Sequence, residues 1–167
     1  FRHEAAAVDF KRKQIYLTED ERDGCLYRYT ADIFDAAGNP DLDHGILEVA
    51  EVIDKSTGAV HWHVVPDPLA TSLSTRKQVA ASTSFNGGEG IWYRWGIVYF
   101  STKGDNRVWA YDVLKQSLRI IYDASLYPDP ILTGVDTITS NAAGELLIAE
   151  DGGNMELVAL AEGKVKP

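Results

Sequence analysis

Several things this 167-residue chain lacks narrow what it can be. It has one cysteine, Cys25, so no disulfide forms within it, and a lone cysteine is by default a small buried hydrophobe. No apolar run approaches the roughly 20 residues needed to span a bilayer. Positive charge is short, with 16 Lys and Arg against 25 Asp and Glu. The resulting net charge of −9 makes a nucleic-acid backbone a poor partner for the surface as a whole. No stretch sustains an apolar period of 3.6, which argues against a long helix. The phosphate-cradling glycine loop, the dinucleotide glycine fingerprint, the nucleophile elbow and paired zinc-ligand spacings are all missing. No signal peptide is visible, and the chain opens Phe-Arg-His-Glu rather than on an initiator Met, so a processed or trimmed start is expected.

What is present is repetition. An acidic residue, a lead-in, an apolar strand, an acidic or polar turn and a second apolar strand recur three times. The leading acids are Glu4, Glu89 and Asp136. The first apolar strands are 15–18, 98–101 and 146–149, and the second are 25–29, 107–111 and 156–160. Glu4 precedes Tyr16 by 12 residues, Glu89 precedes Tyr99 by 10 and Asp136 precedes Leu147 by 11. Repeated strand pairs at near-constant spacing are the signature of a radial β-architecture. The expected fold is an all-β propeller of four-stranded blades in one domain over 1–167, with about three blades near 1–65, 85–123 and 134–167. A β-sandwich of similar strands is the structural alternative. Three blades leave two open sheet edges, so the expectation is part of a longer protein, or a chain that closes against a partner.

The connections fit this reading. Asp35-Ala-Ala-Gly-Asn-Pro40 has strong turn chemistry, and 45–52 with 59–65 reads as an outer hairpin around Ser56-Thr-Gly58. Residues 66–88 form a long surface link with a short helical turn expected near Arg76–Ala81.

The candidate chemistry gathers on repeat-equivalent positions. In a propeller Glu4, Glu89 and Asp136 would meet near the axis, where grouped carboxylates call for a hard cation such as calcium. Three solvated strand-end acids is the plainer alternative. The pairs Glu19-Asp20 and Glu150-Asp151 follow matching strands, where the second repeat has Lys103-Gly-Asp105-Asn106, and suit either ligation or an ordinary tight turn. Cys25 beside an acidic turn reads as a buried structural thiol unless a cation is present. His3, Arg76, Lys103 and Arg107 are the basic groups that could hold an anionic substrate. His61 and His63, two apart around Trp62, read as an outer strand face.

These residues also resemble a known family. The run His3-Glu-Ala-Ala-Ala-Val-Asp9, with Tyr16-Leu-Thr-Glu-Asp20 and Gly24-Cys-Leu-Tyr-Arg28, is similar to the opening of the catalytic region of PhoX-type alkaline phosphatases. Thr75-Arg76, Gly88-Glu-Gly90, Thr102-Lys-Gly-Asp-Asn-Arg-Val-Trp-Ala-Tyr-Asp112, Gly134-Val-Asp136 and Ala149-Glu-Asp-Gly-Gly-Asn154 continue it in order. Thr137, where the family usually has Asn, and the Gly-Gly before Glu89 depart from its pattern. The resemblance implies a propeller with an iron and calcium cluster that hydrolyses phosphate monoesters, exported folded to the periplasm or beyond. It implies metal ligands at Glu4, Glu19, Cys25, Glu89, Asp136, Glu150 and Asp151, and substrate contacts at Arg76, Lys103, Asp105, Asn106 and Arg107. It assigns no residue a catalytic role. Two further readings stand beside it: a non-catalytic propeller subunit, and a calcium-dependent propeller esterase or lactonase that uses the axial acids without Cys25.

Overall fold

A computed structural model describes residues 2–152, 154–161 and 164–166, the last three by backbone only. The fold is all-β apart from a single-turn helix and a 3-10 turn, as the strand pattern predicts. The first antiparallel meander is β1 (His3–Asp9), β2 (Gln14–Glu19), β3 (Leu26–Ala31), β4 (Gly45–Asp54) and β5 (Ala59–Val64). After α1 (Thr75–Gln78) the second is β6 (Gly88–Arg94), β7 (Ile97–Thr102), β8 (Arg107–Asp112) and β9 (Ser117–Asp123). The third is β10 (Val135–Ser140), β11 (Leu146–Glu150), β12 (Leu157–Ala161) and β13 (Lys164–Lys166).

The first two meanders form one nine-stranded sheet in the order β1-β2-β3-β4-β5-β9-β8-β7-β6. Its join is slight: β5 and β9 share the single pair Ala59↔Ser117. The sheet curls so that its end strands, β1 and β6, touch, and β10 of the separate four-stranded sheet packs against β6 and β7. Gly58 makes the β5–β9 join possible. It has φ +71, and a Cβ there would fall 1.9 Å from the Leu118 carbonyl oxygen.

Two cores result. Tyr16, Trp62, Phe85, Phe100 and Tyr111 fill the space between the first and second meanders, and the Trp62 indole N–H donates to the Tyr111 hydroxyl at 2.9 Å. Val108, Leu132, Val135, Ile138, Ile148 and Val158 fill the space between the second and third. Each such side chain, fully buried, contributes roughly 2 kcal/mol. Cys25, Tyr27, Val49 and Val65 make a smaller cluster beneath the 66–82 connection.

The three repeats are equivalent in register as well as in spacing. β1 pairs with β2 at His3↔Glu19 and then skips to Ala6↔Leu17, so Glu4 and Ala5 face Thr18 alone. Likewise Glu89 and Gly90 face Ser101, and Asp136 and Thr137 face Ala149. Each leading acid is therefore the first residue of a β-bulge, a device that turns a side chain out of the regular alternation and sharpens the local twist.

Candidate functional site

The bulges bring the leading acids together. Thr18, opposite the first bulge, accepts from the Ala5 N–H at 3.3 Å and donates to the Glu89 carbonyl at 2.5 Å. Ser101, opposite the second, donates to the Asp136 carbonyl at 2.5 Å. In each of the first two repeats one hydroxyl thus ties a bulge to the next one. Gly90 allows the second of these approaches, because a Cβ there would lie 2.6 Å from the Asp136 carbonyl oxygen.

A second tier of residues sits just beyond. The N–H groups of Asp20, Lys103 and Asp151 donate at 2.9 Å to the carbonyls of Arg2, Gly87 and Gly134, the same bond in each repeat. Lys103 is thus the cationic counterpart of two acids. Its ammonium is hydrogen-bonded to Asp151 and lies 3.9 Å from Asp136. Asn106 secures this end by accepting from the Gly134 N–H at 2.6 Å.

Electrostatics follow from this crowding. Glu89 is 7% exposed. Its burial, followed by the charges of Asp136, Asp20 and Glu4, pushes its carboxyl up to about 7, against the pull of Lys103. Bonding to Asp151 in turn holds the Lys103 ammonium above its ordinary value. Among the described residues, no three His, Cys, Asp or Glu side chains are disposed to hold a metal ion in this arrangement.

The other sequence-predicted ligands are engaged in local structure. Glu19 is fully buried, and one of its oxygens accepts from the Tyr27 hydroxyl (2.8 Å) and the Cys25 N–H (3.1 Å). Its other oxygen takes the Arg76 guanidinium at 3.1 Å. Glu150 repeats the pattern, accepting from Thr133 N–H at 2.6 Å and from Glu156 N–H, again six residues on, at 3.3 Å. In the second repeat Thr102 fills this place, donating to Asp105 and accepting from the Trp109 indole. Cys25 is buried beside Ser82, its Sγ 3.7 Å from the Ser82 hydroxyl, and burial pushes its thiol up to about 11. Gly153, three residues after Glu150 in the sequence, lies outside the described residues.

The basic candidates are paired too. Arg76, carried by α1, meets Glu19, Asp23 (3.0 Å) and Glu21 (3.8 Å). Arg107 meets Asp105 at 2.9 Å and Asp123 at 2.8 Å. Sequence reasoning passed over Thr18, Ser101 and Tyr27. The signal for the first two was available, since both precede the turn tier by two residues in their repeats.

No curated protein matches the chain. The family described as alkaline phosphatase PhoX matches residues 1–125, which takes in the first two meanders and leaves Asp136, Glu150 and Asp151 outside the matched span. That is 125 of 167 residues, and the chain belongs to the PhoX alkaline phosphatase family.

Proposed function

We propose that this chain carries part of a metal-dependent phosphate monoester hydrolase of the PhoX type, with its site at the end where the three bulged acids meet. The observation that carries the reading is Glu89: burial first, and then the charges of Asp136, Asp20 and Glu4, push its carboxyl up to about 7, and a bound cation would favour the carboxylate there. The consecutive meanders, each with its acid at the second position of its first strand and touching at those first strands, support a propeller in which further blades or a protein partner close the open edges. Export to the periplasm or outside the cell belongs to the same proposal.

The donor atoms available are of the type a hard cation takes, although among the described residues no three of them converge in this arrangement. Glu4, Glu89, Asp136 and Asp151 supply carboxylate oxygens of the kind calcium takes, with Lys103 holding part of that charge in this arrangement. Iron would draw on Cys25 and on Glu19 bonded to its N–H, with Glu150 the further acid that the resemblance suggests. The Cys25 thiol would have to ionise first, which its burial opposes and a bound cation favours. Bound there, such ions would supply Lewis-acid polarisation of a phosphoryl group and a more reactive attacking oxygen. The chain's own contribution is to hold carboxylates at the bulges and to place Lys103 beside them. Lys103, Arg76, Asp105, Asn106 and Arg107 are the proposed substrate contacts.

The test is metal analysis of the purified chain together with hydrolysis of para-nitrophenyl phosphate. Bound calcium or iron and phosphatase activity, both reduced in Glu89→Gln, are expected. A chain that binds neither metal would overturn the reading. The pairing of Arg76, Lys103 and Arg107 with carboxylates favours one second reading, a non-catalytic propeller subunit, because little positive charge is left to steady a phosphoryl group. Metal binding without hydrolysis of phosphate monoesters, or of lactones as the calcium-esterase reading requires, would select it.

A further inference from the structure

A cavity of about 580 Å³ opens between the first and second meanders, bounded by the β4–β5 turn, residues 83–86 and the outer strand β9. That volume falls within the roughly 300–1,000 Å³ of small-molecule sites. Its walls come from described residues of the two meanders and of the link between them. It lies across the β7–β8 turn from the acids: Lys103 in that turn faces Asp136 and Asp151, whereas Asp105 and Arg107 line the cavity.

Its charge is unusual for this acidic chain. Most cations here are neutralised: Arg2, Arg12, Arg28, Arg76, Lys77, Lys103, Arg107 and Lys115 form ion pairs. Lys13 lies over Phe34, and Arg94 stacks on Trp95. Among described side chains, Lys11, Arg22, Lys55 and Arg119 are the cations without an ion pair or aromatic partner, and Arg22, Lys55 and Arg119 all line this cavity. Its acid, Asp105, is already bound to Arg107 and Thr102. Thr83 offers a hydroxyl, while Trp109, Leu118 and Ile120 give an apolar wall.

We infer that this cavity binds a small organic anion, a sulfonate, phosphate or carboxylate joined to a compact apolar group. Arg22, Lys55 and Arg119 receive the anionic end, and the Trp109–Ile120 wall receives the apolar part. An anion entering here meets positive charge that no carboxylate of the chain has claimed, so it displaces no existing pair.

Titration of the ¹⁵N-labelled chain with benzenesulfonate tests this. The probe is not a phosphate ester, so the result is independent of the phosphatase reading. Saturable shifts of amides in 55–58, 83–86 and 118–120 are expected. Binding should weaken by about tenfold or more in Arg22→Glu/Arg119→Glu, and by a similar factor for the neutral analogue benzyl alcohol. Lys55→Glu, on an exposed turn, provides a second variant should the first lose its spectral dispersion. Absence of saturable shifts at these amides, equal affinity for benzyl alcohol, or charge-reversed variants that bind as tightly as the parent would overturn the inference.

Discussion

The Thr18 hydroxyl donates to the carbonyl of Glu89, 71 residues away, at 2.5 Å, while accepting the N–H of Ala5. One side chain thereby fixes the spacing between the first two leading acids, and Ser101 does the same for the second and third. Because Thr18 is buried, its loss leaves a carbonyl and an amide without their partner. Thr18→Val is expected to cost about 1–3 kcal/mol in urea unfolding, and Ser101→Ala a similar amount. A change within error for both would mean that the bulges hold their positions without these bonds.

Glu89 sets a pH dependence. Its folded value of about 7 lies above its ordinary 4.5. Below 4.5 both folded and unfolded chains hold the proton. Between 4.5 and 7 the unfolded chain releases it first, so stability falls as pH rises and the loss is complete above 7. The metal-free chain should lose about 3 kcal/mol across that window, and Glu89→Gln should flatten it. Lys103→Met removes a cation that lowers Glu89, so it should move the titration midpoint higher still, as read by NMR.

Asp9 gives the opposite sign. Burial alone would raise its carboxyl, but the Arg12 side chain at 2.8 Å and the backbone N–H of Arg12 outweigh it and hold it below the ordinary value. That stability is present above the ordinary value and is lost as pH falls through the depressed one. Arg12→Ala should cost about 1–3 kcal/mol at neutral pH. The difference from the parent should shrink on acidification, and an equal cost at every pH would count against this assignment.

Cys25 should be inert in the folded chain. With its thiol pushed up to about 11, and with 2% of its surface exposed, modification by a disulfide reagent near pH 8 should be at least roughly a hundredfold slower than in denaturant. Rapid labelling of the native protein would show that the pocket opens or that the thiolate is stabilised.

Gly90→Ala should separate the second and third meanders, since the new methyl would collide with backbone at Asp136 and Ile138 rather than with a flexible side chain. A destabilisation above about 2 kcal/mol, with faster amide exchange in β10, is expected. Unchanged exchange there would show that the backbone absorbs the methyl.

Sequence alone determined the strands, the threefold recurrence and the family, because alternation, turn chemistry and spacing are local or countable properties. The outer hairpin expected at 45–52 and 59–65 appears as β4 and β5, and the helical turn near Arg76 as α1. The acids were legible as candidates, but their neighbours were not. Glu4 and Glu19 look alike as letters, yet one stands exposed in a bulge while the other is buried and bonded to Tyr27, Cys25 and Arg76. Only tertiary structure decided which carboxylates repel one another at Glu89, which cations are already paired, and which three remain to line a cavity. Such distinctions depend on burial and on distances between residues far apart in the chain. Hydrophobic pattern can place a strand, but it cannot say what will face it across a core.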